Sequence, residues 1–312
     1  ISACLVGSEM CIRDRCRTAG AGYADYARDL EQETGLPTGY DPAGTLFLCH
    51  SAEEQQDLER RFAWQRELGI LAVHLDPREV RVLEPEARAA GGYLLPGDCQ
   101  VDNRLLCCAL IEACGRAGVV FHQRGVLSLV EESGRASGVL LADGTRLGAD
   151  AIVNAAGAWA ASLSLPGVAV EIRPVKGHML ALRTGRRPPT HVLHDPSVYL
   201  VPRPGGRLVV GSTMEEAGFD KTVDAAAIAR LRAAAERLVP SLREADVVEA
   251  WTGLRPATPD ARPRIGPTRL PGYFLAAGHF RNGILLGPLT AQLLAPVILG
   301  EPPNALLLPF LP

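Results

Sequence analysis

The sequence predicts an α/β protein made of two interleaved units, one a doubly wound sheet with helices and the other an antiparallel-sheet α+β unit. Three stretches lead to this reading. Residues 273–295 run from an apolar strand through a glycine-bracketed polar turn into an apolar helix. A helical stripe opening after Asp102 leads into the apolar residues 119–122, a helix-to-strand step of a doubly wound sheet. Between residues 170 and 248, short β-rich runs bounded by Pro and Gly surround a single helical stretch, the pattern of an antiparallel sheet flanked by a helix.

Taken in order, Ser51 and Glu54 form an S-x-x-E capping box that opens a helix with Leu58, Phe62 and Leu68 on one face. The helix after Asp102 carries Leu106, Leu110, Ala113 and Ala117 at helical spacing, and residues 119–122 read as the strand that follows. Alternating runs at 126–130 and 138–141, with Asp143-Gly144 as a hairpin turn, read as a small antiparallel flap. Residues 151–155 return as an apolar strand ending at Ala156-Gly157, small residues that let the backbone approach a ligand. Residues 224–238 form the helix of the second unit, with Ile228, Leu231, Ala235 and Leu238 inward. No internal repeat and no low-complexity linker separates the two units.

Composition narrows the function. The chain has 312 residues, enough for two domains, and 47% hydrophobic residues, enough for sizeable cores. A formal net charge of −3 without any Lys/Arg block leaves no basic field for nucleic acid. Gly287, Pro288, Thr290 and Gln292 interrupt the terminal apolar stretch, so no run reaches the ~18 residues of a membrane span. All eight cysteines lie within the first 114 residues and include no CxxC pair, which suits a reduced cytoplasm. Cys107, Cys108 and Cys114 share one helix without paired-ligand spacing and read as buried thiols, so no metal site is expected.

The terminal segment carries the first chemical signal. Amides around Arg281, Asn282 and Gly283 would lie at a helix N-terminus, where unpaired N–H groups and the helix dipole favour negative charge on a ligand. With AIVNAAGAWA (151–160), RPVKGHML (173–180), VYLVPRPGGRLVVGSTMEEAGFDKT (198–222) and WTGLRPATPDARPRIGP (251–267), this segment resembles, in order, the D-amino-acid oxidase family of FAD-dependent oxidoreductases, nearest to the glycine oxidases of thiamine biosynthesis. The likeness covers residues 17–300.

That resemblance implies oxidative deamination of glycine, small amines or D-amino acids, with hydride transfer to non-covalent FAD and reoxidation by oxygen to hydrogen peroxide. Two other readings stand beside it: a non-catalytic fragment unable to hold FAD, and a sarcosine-type oxidase or D-amino-acid dehydrogenase. Arg255 matches the arginine that grips the substrate carboxylate, a task that suits a planar, permanently charged fork. Tyr199 matches the tyrosine that joins this clamp, Met214 a pocket-lining position, and Arg281 a loop residue closing over flavin and substrate. Cofactor contacts are implied at Val126, Ala155, Ala156, Gly157, Trp159, Gly253, Gly278, His279, Arg281, Asn282, Gly283 and Ile284. His279 and His178 read as positional. The expected partner is a small amino acid or amine in the cytoplasm, with oligomeric state open.

The family opens with a strand, a GxGxxG turn and a helix that hold the ADP half of the cofactor. This chain shows no such opening: Gly20-Ala21-Gly22 has no strand before it and Asp25 in place of the third glycine. A βαβ unit needs roughly 30 residues, and the residues ahead of the first matching segment include none that fit. The chain therefore reads as a fragment. ISACLVGSEMCIRDR, resembling translated adaptor read-through, reads as a non-native segment over 1–15. The expected division is 16–41, 99–168 and 255–312 for what remains of a Rossmann-like, GR2-type FAD-binding domain, and 42–98 with 169–254 for the substrate domain.

Overall fold

The computed structural model describes residues 10–164 and 168–312. Helix α1 (Met10–Thr34) comes first. It buries Cys16, Ala19, Tyr23, Ala27 and Leu30, whose spacing draws one stripe along the helix. Gly20 and Gly22 lie inside α1 with open space around them, so this glycine pair is not a strand-to-helix turn. Strand β1 (Thr45–Cys49) follows, buried throughout. Then come α2 (Ala52–Glu67), β2 (Val73–Leu75), α3 (Pro77–Leu83), β3 (Gly91–Leu95) and α4 (Asn103–Arg116).

Next are β4 (Val126–Glu132), β5 (Arg135–Leu141), β6 (Arg146–Gly148) and β7 (Ile152–Asn154). Strands β8 (Arg173–Arg183), β9 (Val192–His194), β10 (Tyr199–Arg203) and β11 (Arg207–Gly211) lead to α5 (Ala225–Leu238). The chain finishes with β12 (Asp246–Ala257), β13 (Arg264–Pro267), β14 (Tyr273–Ala277) and α6 (Gly283–Ile298).

The strands form an eight-stranded sheet in the order β12-β8-β11-β10-β9-β1-β3-β2 and two three-stranded sheets, β13-β14-β7 and β4-β5-β6. The large sheet is antiparallel except where β1 pairs parallel with β9. That joint is parallel because β1 arrives from a distant part of the chain and is not joined to β9 by a hairpin. Strands β14 and β7 are also parallel, and β4, β5 and β6 form the expected antiparallel flap.

One core lies between the large sheet and α5, where Leu180, Leu200, Leu208 and Val210 meet Leu231, Ala235 and Leu238. A second joins α1, α4 and α6 through Tyr23, Leu106, Leu285 and Leu289. The two are tied together at their surface by Arg104 on α4, whose guanidinium binds both oxygens of Glu249 on β12 at 2.9 and 2.6 Å.

Five sequence expectations change. Residues 119–122 are not a strand; Val119, Val120 and Phe121 are exposed, since a strand needs a neighbouring edge to satisfy its amides and no described strand runs beside them. On α4 the buried residues are Leu106 and Ala109 with Ala113 partly covered, while Leu110 and Ala117 face outward. Cys107 and Cys108, on the opposite face, are exposed and not buried. On α2, Phe62 and Gln65 are buried and Leu68 is the exposed C-cap. Its capping box is half formed: Ser51 Oγ accepts from Glu54 N at 3.2 Å, but the Glu54 carboxylate takes the amide of His50.

Candidate active site

Register builds the site. Directly opposed residues on neighbouring strands share a face, and the pairings set Tyr93, Phe47, His194, Tyr199, Gly211 and Met179 in one row across β3, β1, β9, β10, β11 and β8. Side chains along this row stack. Phe47 and His194 have ring centroids 4.9 Å apart, and His194 and Tyr199 are stacked at 6.3 Å. The Tyr199 hydroxyl reaches Met179 Sδ at 3.3 Å and lies over Gly211, where any Cβ would overlap the phenol.

Arg255 comes from β12, whose register places it beside β8. Its guanidinium lies over Gly177, again filling the space a side chain would need. Nη1 donates to Thr213 O at 3.2 Å and Nη2 to Ser212 Oγ at 2.7 Å. No carboxylate among the described residues forms an ion pair with it. The loop holding it is anchored from below by buried His178, whose backbone N donates to Thr213 Oγ1 at 2.9 Å and whose Nε2 accepts from Asp224 N at 3.0 Å.

Tyr199, Met214, Arg255, Arg281 and Ile284 all border one cavity of about 520 Å³, together with Phe47, His194 and Arg203. Arg203 is occupied: Nη1 donates to Gln100 Oε1 at 2.7 Å and Nη2 to Val101 O at 2.8 Å. Met214 borders the cavity yet is 64% exposed, a rim residue more than a wall. His194 is shifted from its usual value to about 4, first by burial and then by the nearby Arg61 and Arg281 guanidiniums, so its imidazole is neutral at pH 7.

The expected cofactor residues divide. Ala155, His279 and Gly283 border a second cavity of about 460 Å³, lined also by Val153, Gly287 and Thr290. His279 points away from the first cavity and meets Thr290 Oγ1 at 3.0 Å; burial, with Arg15 nearby, lowers its pKa to about 4. Gly157 (φ 56) and Gly278 (φ 80) hold left-handed turns, and a side chain at 278 would overlap Thr258. Ala156, Trp159 and Val126 are exposed, with Trp159 against Phe219 at 5.7 Å and Val126 opening the flap. Gly253 faces Gly177 on the edge strand. Asn282 is the N-cap of α6 with no side-chain capping bond.

Three contributors went unread in the sequence. Buried Asn154 holds the 155–157 loop, its Nδ2 donating to Tyr273 Oη at 2.8 Å and its Oδ1 accepting from Ala156 N at 3.1 Å; the NAAG string was the available signal. His194 carries no local signature, because register alone brings it to the cavity, and Arg61 carries none because it reaches the Phe47 ring from α2.

A flavin fits what is present. The uncapped N-terminus of α6 presents amides free of a side-chain partner. Gly157, Gly278 and Gly283 leave a surface of small residues beside it, and the apolar second cavity abuts the β7 and β14 ends. Among the described residues, no glycine-rich strand-to-helix turn of the kind that holds a pyrophosphate is present.

The fold thus opens a cavity bordered by Arg203, Arg255 and Arg281, with Asp98 and Asp195, on the face of the large sheet. The family model described as FAD dependent oxidoreductase matches residues 11–296, and the chain belongs to this family of FAD-using enzymes. It is 36% identical over 313 residues to the bifunctional protein ThiO/ThiG of Synechocystis sp., covering 97% of this chain and 44% of that protein. It is also 36% identical over 280 residues to glycine oxidase of Geobacillus kaustophilus, covering 87% of this chain and 74% of that protein. The crystal structure of glycine oxidase from Geobacillus kaustophilus superposes with a TM-score of 0.91 at 32% identity, over 98% of this chain and 84% of that one. The chain thus spans less than half the length of the bifunctional relative. Its fold is the mixed α/β architecture of the glycine oxidase structures. No helix among the described residues is long and apolar enough to cross a membrane.

Proposed function

We propose that the protein from which this chain comes is an FAD-dependent amino-acid oxidase that deaminates glycine and small amines or D-amino acids, giving from glycine, oxygen and water glyoxylate, ammonia and hydrogen peroxide. The observation that carries this reading is Arg255: a guanidinium with no carboxylate partner among the described residues, on the same cavity as Tyr199. Such a group calls for an anionic ligand, and a planar fork suits a carboxylate. The relatives named glycine oxidase and ThiO/ThiG support glycine as substrate and a place in thiamine biosynthesis.

In this reading Arg255 fixes the substrate carboxylate and the Tyr199 hydroxyl donates to it, setting the α-carbon in one orientation. Phe47 and the Tyr199 ring exclude water from the wall opposite. Arg281, at the rim, keeps the cavity positive, which favours negative charge arising during the reaction. FAD bound there would supply the two-electron acceptor for the α-hydrogen and the route of those electrons to oxygen. Gly157, Gly278 and Gly283, with the α6 amides and Asn282, would hold the flavin, and Ala155, Ala156, Trp159, Gly253, His279, Ile284 and Val126 would complete its contacts non-covalently, since no cysteine follows Cys114. We assign 16–41, 99–168 and 255–312 to the cofactor unit and 42–98 with 169–254 to the substrate unit; the composition of the large sheet and of the helical core supports this division.

The test is Arg255→Ala in the flavin-loaded protein, followed by peroxide release from glycine. Loss of a charge-assisted clamp of about 1.5–3 kcal/mol lowers kcat/KM by tenfold or more while the flavin spectrum is kept. Unchanged kinetics on glycine would refute the assignment.

A further inference from the structure

Beside Arg255, three residues following β11 stand against two on β8. Gly211 pairs with Met179, and the chain meets β8 again where Glu215 bridges Lys176. There Glu215 N donates to Lys176 O at 2.9 Å, and Lys176 N donates to Glu215 O at 2.8 Å. Ser212, Thr213 and Met214 therefore face Gly177 and His178 alone, a bulge of one extra residue. Such a bulge re-aims the groups it carries. Here it brings Ser212 Oγ and Thr213 O to the Arg255 guanidinium, at 2.7 and 3.2 Å.

Lys176 closes this bulge from the far side of the sheet. Successive strand residues point to opposite faces, so Gly177 and Met179 lie on the side of Arg255 and Tyr199, while Lys176 and His178 share the side on which Leu180 and Leu182 are buried with α5. The Lys176 side chain is 4% exposed, and its Nζ donates to Asp220 Oδ2 at 3.0 Å. Among the described residues Asp220 is its one ion-pair partner. Asp220 lies on the segment that runs from the bulge to Asp224, the N-cap of α5, and its other oxygen accepts from Thr222 N at 2.8 Å. The Thr222 hydroxyl and amide, and then Lys176, hold the Asp220 carboxyl well below the usual carboxylate range, so it is ionised at pH 7.

We infer that Lys176 is a positioning residue for substrate binding: its ion pair with Asp220 fixes the segment 212–224 and, through Ser212 and Thr213, the direction of the Arg255 fork. This inference rests on the reading of Arg255 as the carboxylate clamp of an amino-acid oxidase. Replacing a buried ion pair by apolar groups is often neutral or stabilising, so fold stability by itself gives no reason for an ammonium beneath this sheet. Holding Arg255 in one direction gives that reason. A clamp works only while its fork keeps its aim, and a misplacement of about 1 Å is enough to weaken it severely.

Acetate binding to the chain, measured calorimetrically at neutral pH and fixed ionic strength, tests this without turnover. The parent is compared with Lys176→Met, Asp220→Asn, Asp220→Glu, Ser212→Ala, the double variant Ser212→Ala/Asp220→Asn, and Arg255→Ala, each checked for folding by its thermal midpoint. Asp220 is half-exposed, so Asp220→Asn carries the test if Lys176→Met folds poorly, and its amide oxygen still takes the Thr222 N bond. Lys176→Met and Asp220→Asn should each weaken acetate about tenfold, and Asp220→Glu should restore most of the loss. In the double variant the loss should fall well short of the product of the two single losses, since both act through one bulge. Acetate affinity equal to the parent's in Asp220→Asn, a loss in Asp220→Glu as large as in Asp220→Asn, or single losses that multiply in the double variant each overturn the positioning role alone. Acetate binding that is absent from the parent, or that persists in Arg255→Ala, overturns the clamp on which the inference rests.

Discussion

The guanidinium of Arg255 occupies the volume above Gly177 that any larger residue at 177 would claim. Position 177 thus controls where the fork points. Gly177→Ala is expected to displace Arg255 and weaken acetate binding by about 1.5–3 kcal/mol. Calorimetric titration checks it, and acetate affinity equal to the parent's would show that the fork reaches its ligand by another path.

Tyr199 stands to Gly211 as Arg255 does to Gly177. Tyr199→Phe removes one hydroxyl bond and is expected to raise KM for glycine by the equivalent of about 0.5–1.5 kcal/mol, with kcat affected less. Gly211→Ala moves the whole ring and is expected to cost more than Tyr199→Phe. Steady-state kinetics of the two variants should rank in that order, and the reverse order would place the phenol outside the clamp.

Two buried imidazoles govern acid stability. His194 and His279 each have folded pKa values near 4 against an ordinary 6.5. A depressed pKa means that the unfolded chain binds more protons, so the stabilisation present above pH 6.5 is lost as pH falls toward 4. Each histidine is expected to contribute a loss of about 2 kcal/mol between pH 7 and pH 5. Urea titrations at both pH values measure the total, and His279→Gln should make the curve shallower by roughly half of it. A stability that is flat over this range would mean that both rings are solvated.

Leu180 is fully buried between the large sheet and α5. Leu180→Ala is expected to destabilise the fold by about 2–5 kcal/mol through the lost contacts and the cavity left behind. The midpoint of denaturant unfolding reports it; a loss under 1 kcal/mol would indicate that the sheet and helix close over the gap.

What could be read from the sequence was local. The α5 stripe of Leu231, Ala235 and Leu238, the Asp143-Gly144 turn and the β14 to α6 transition all follow from spacing and turn chemistry within a short window. Residues 119–122 were misread because an apolar β-branched run looks the same whether or not an edge awaits it. Leu68 and Leu110 were misassigned because an apolar residue near the rim of a helical stripe has no local marker for burial. Arg255 and Tyr199 were visible through their motifs. His194 was not, since its place beside Phe47 and Tyr199 depends on the pairing of β1 with β9 and of β9 with β10, the first of them a contact between residues far apart in the chain.

That same pairing dictates an order of assembly. Thr45, Leu46 and Phe47 find their partners at Val192, Leu193 and His194, so during synthesis β1 must wait until β9, well over a hundred residues later, has emerged. Loop closure over such a separation is entropically slow. In the interval β1 has β3 on one flank and an open edge on the other, which makes the nascent chain a natural client for chaperones until β9 arrives.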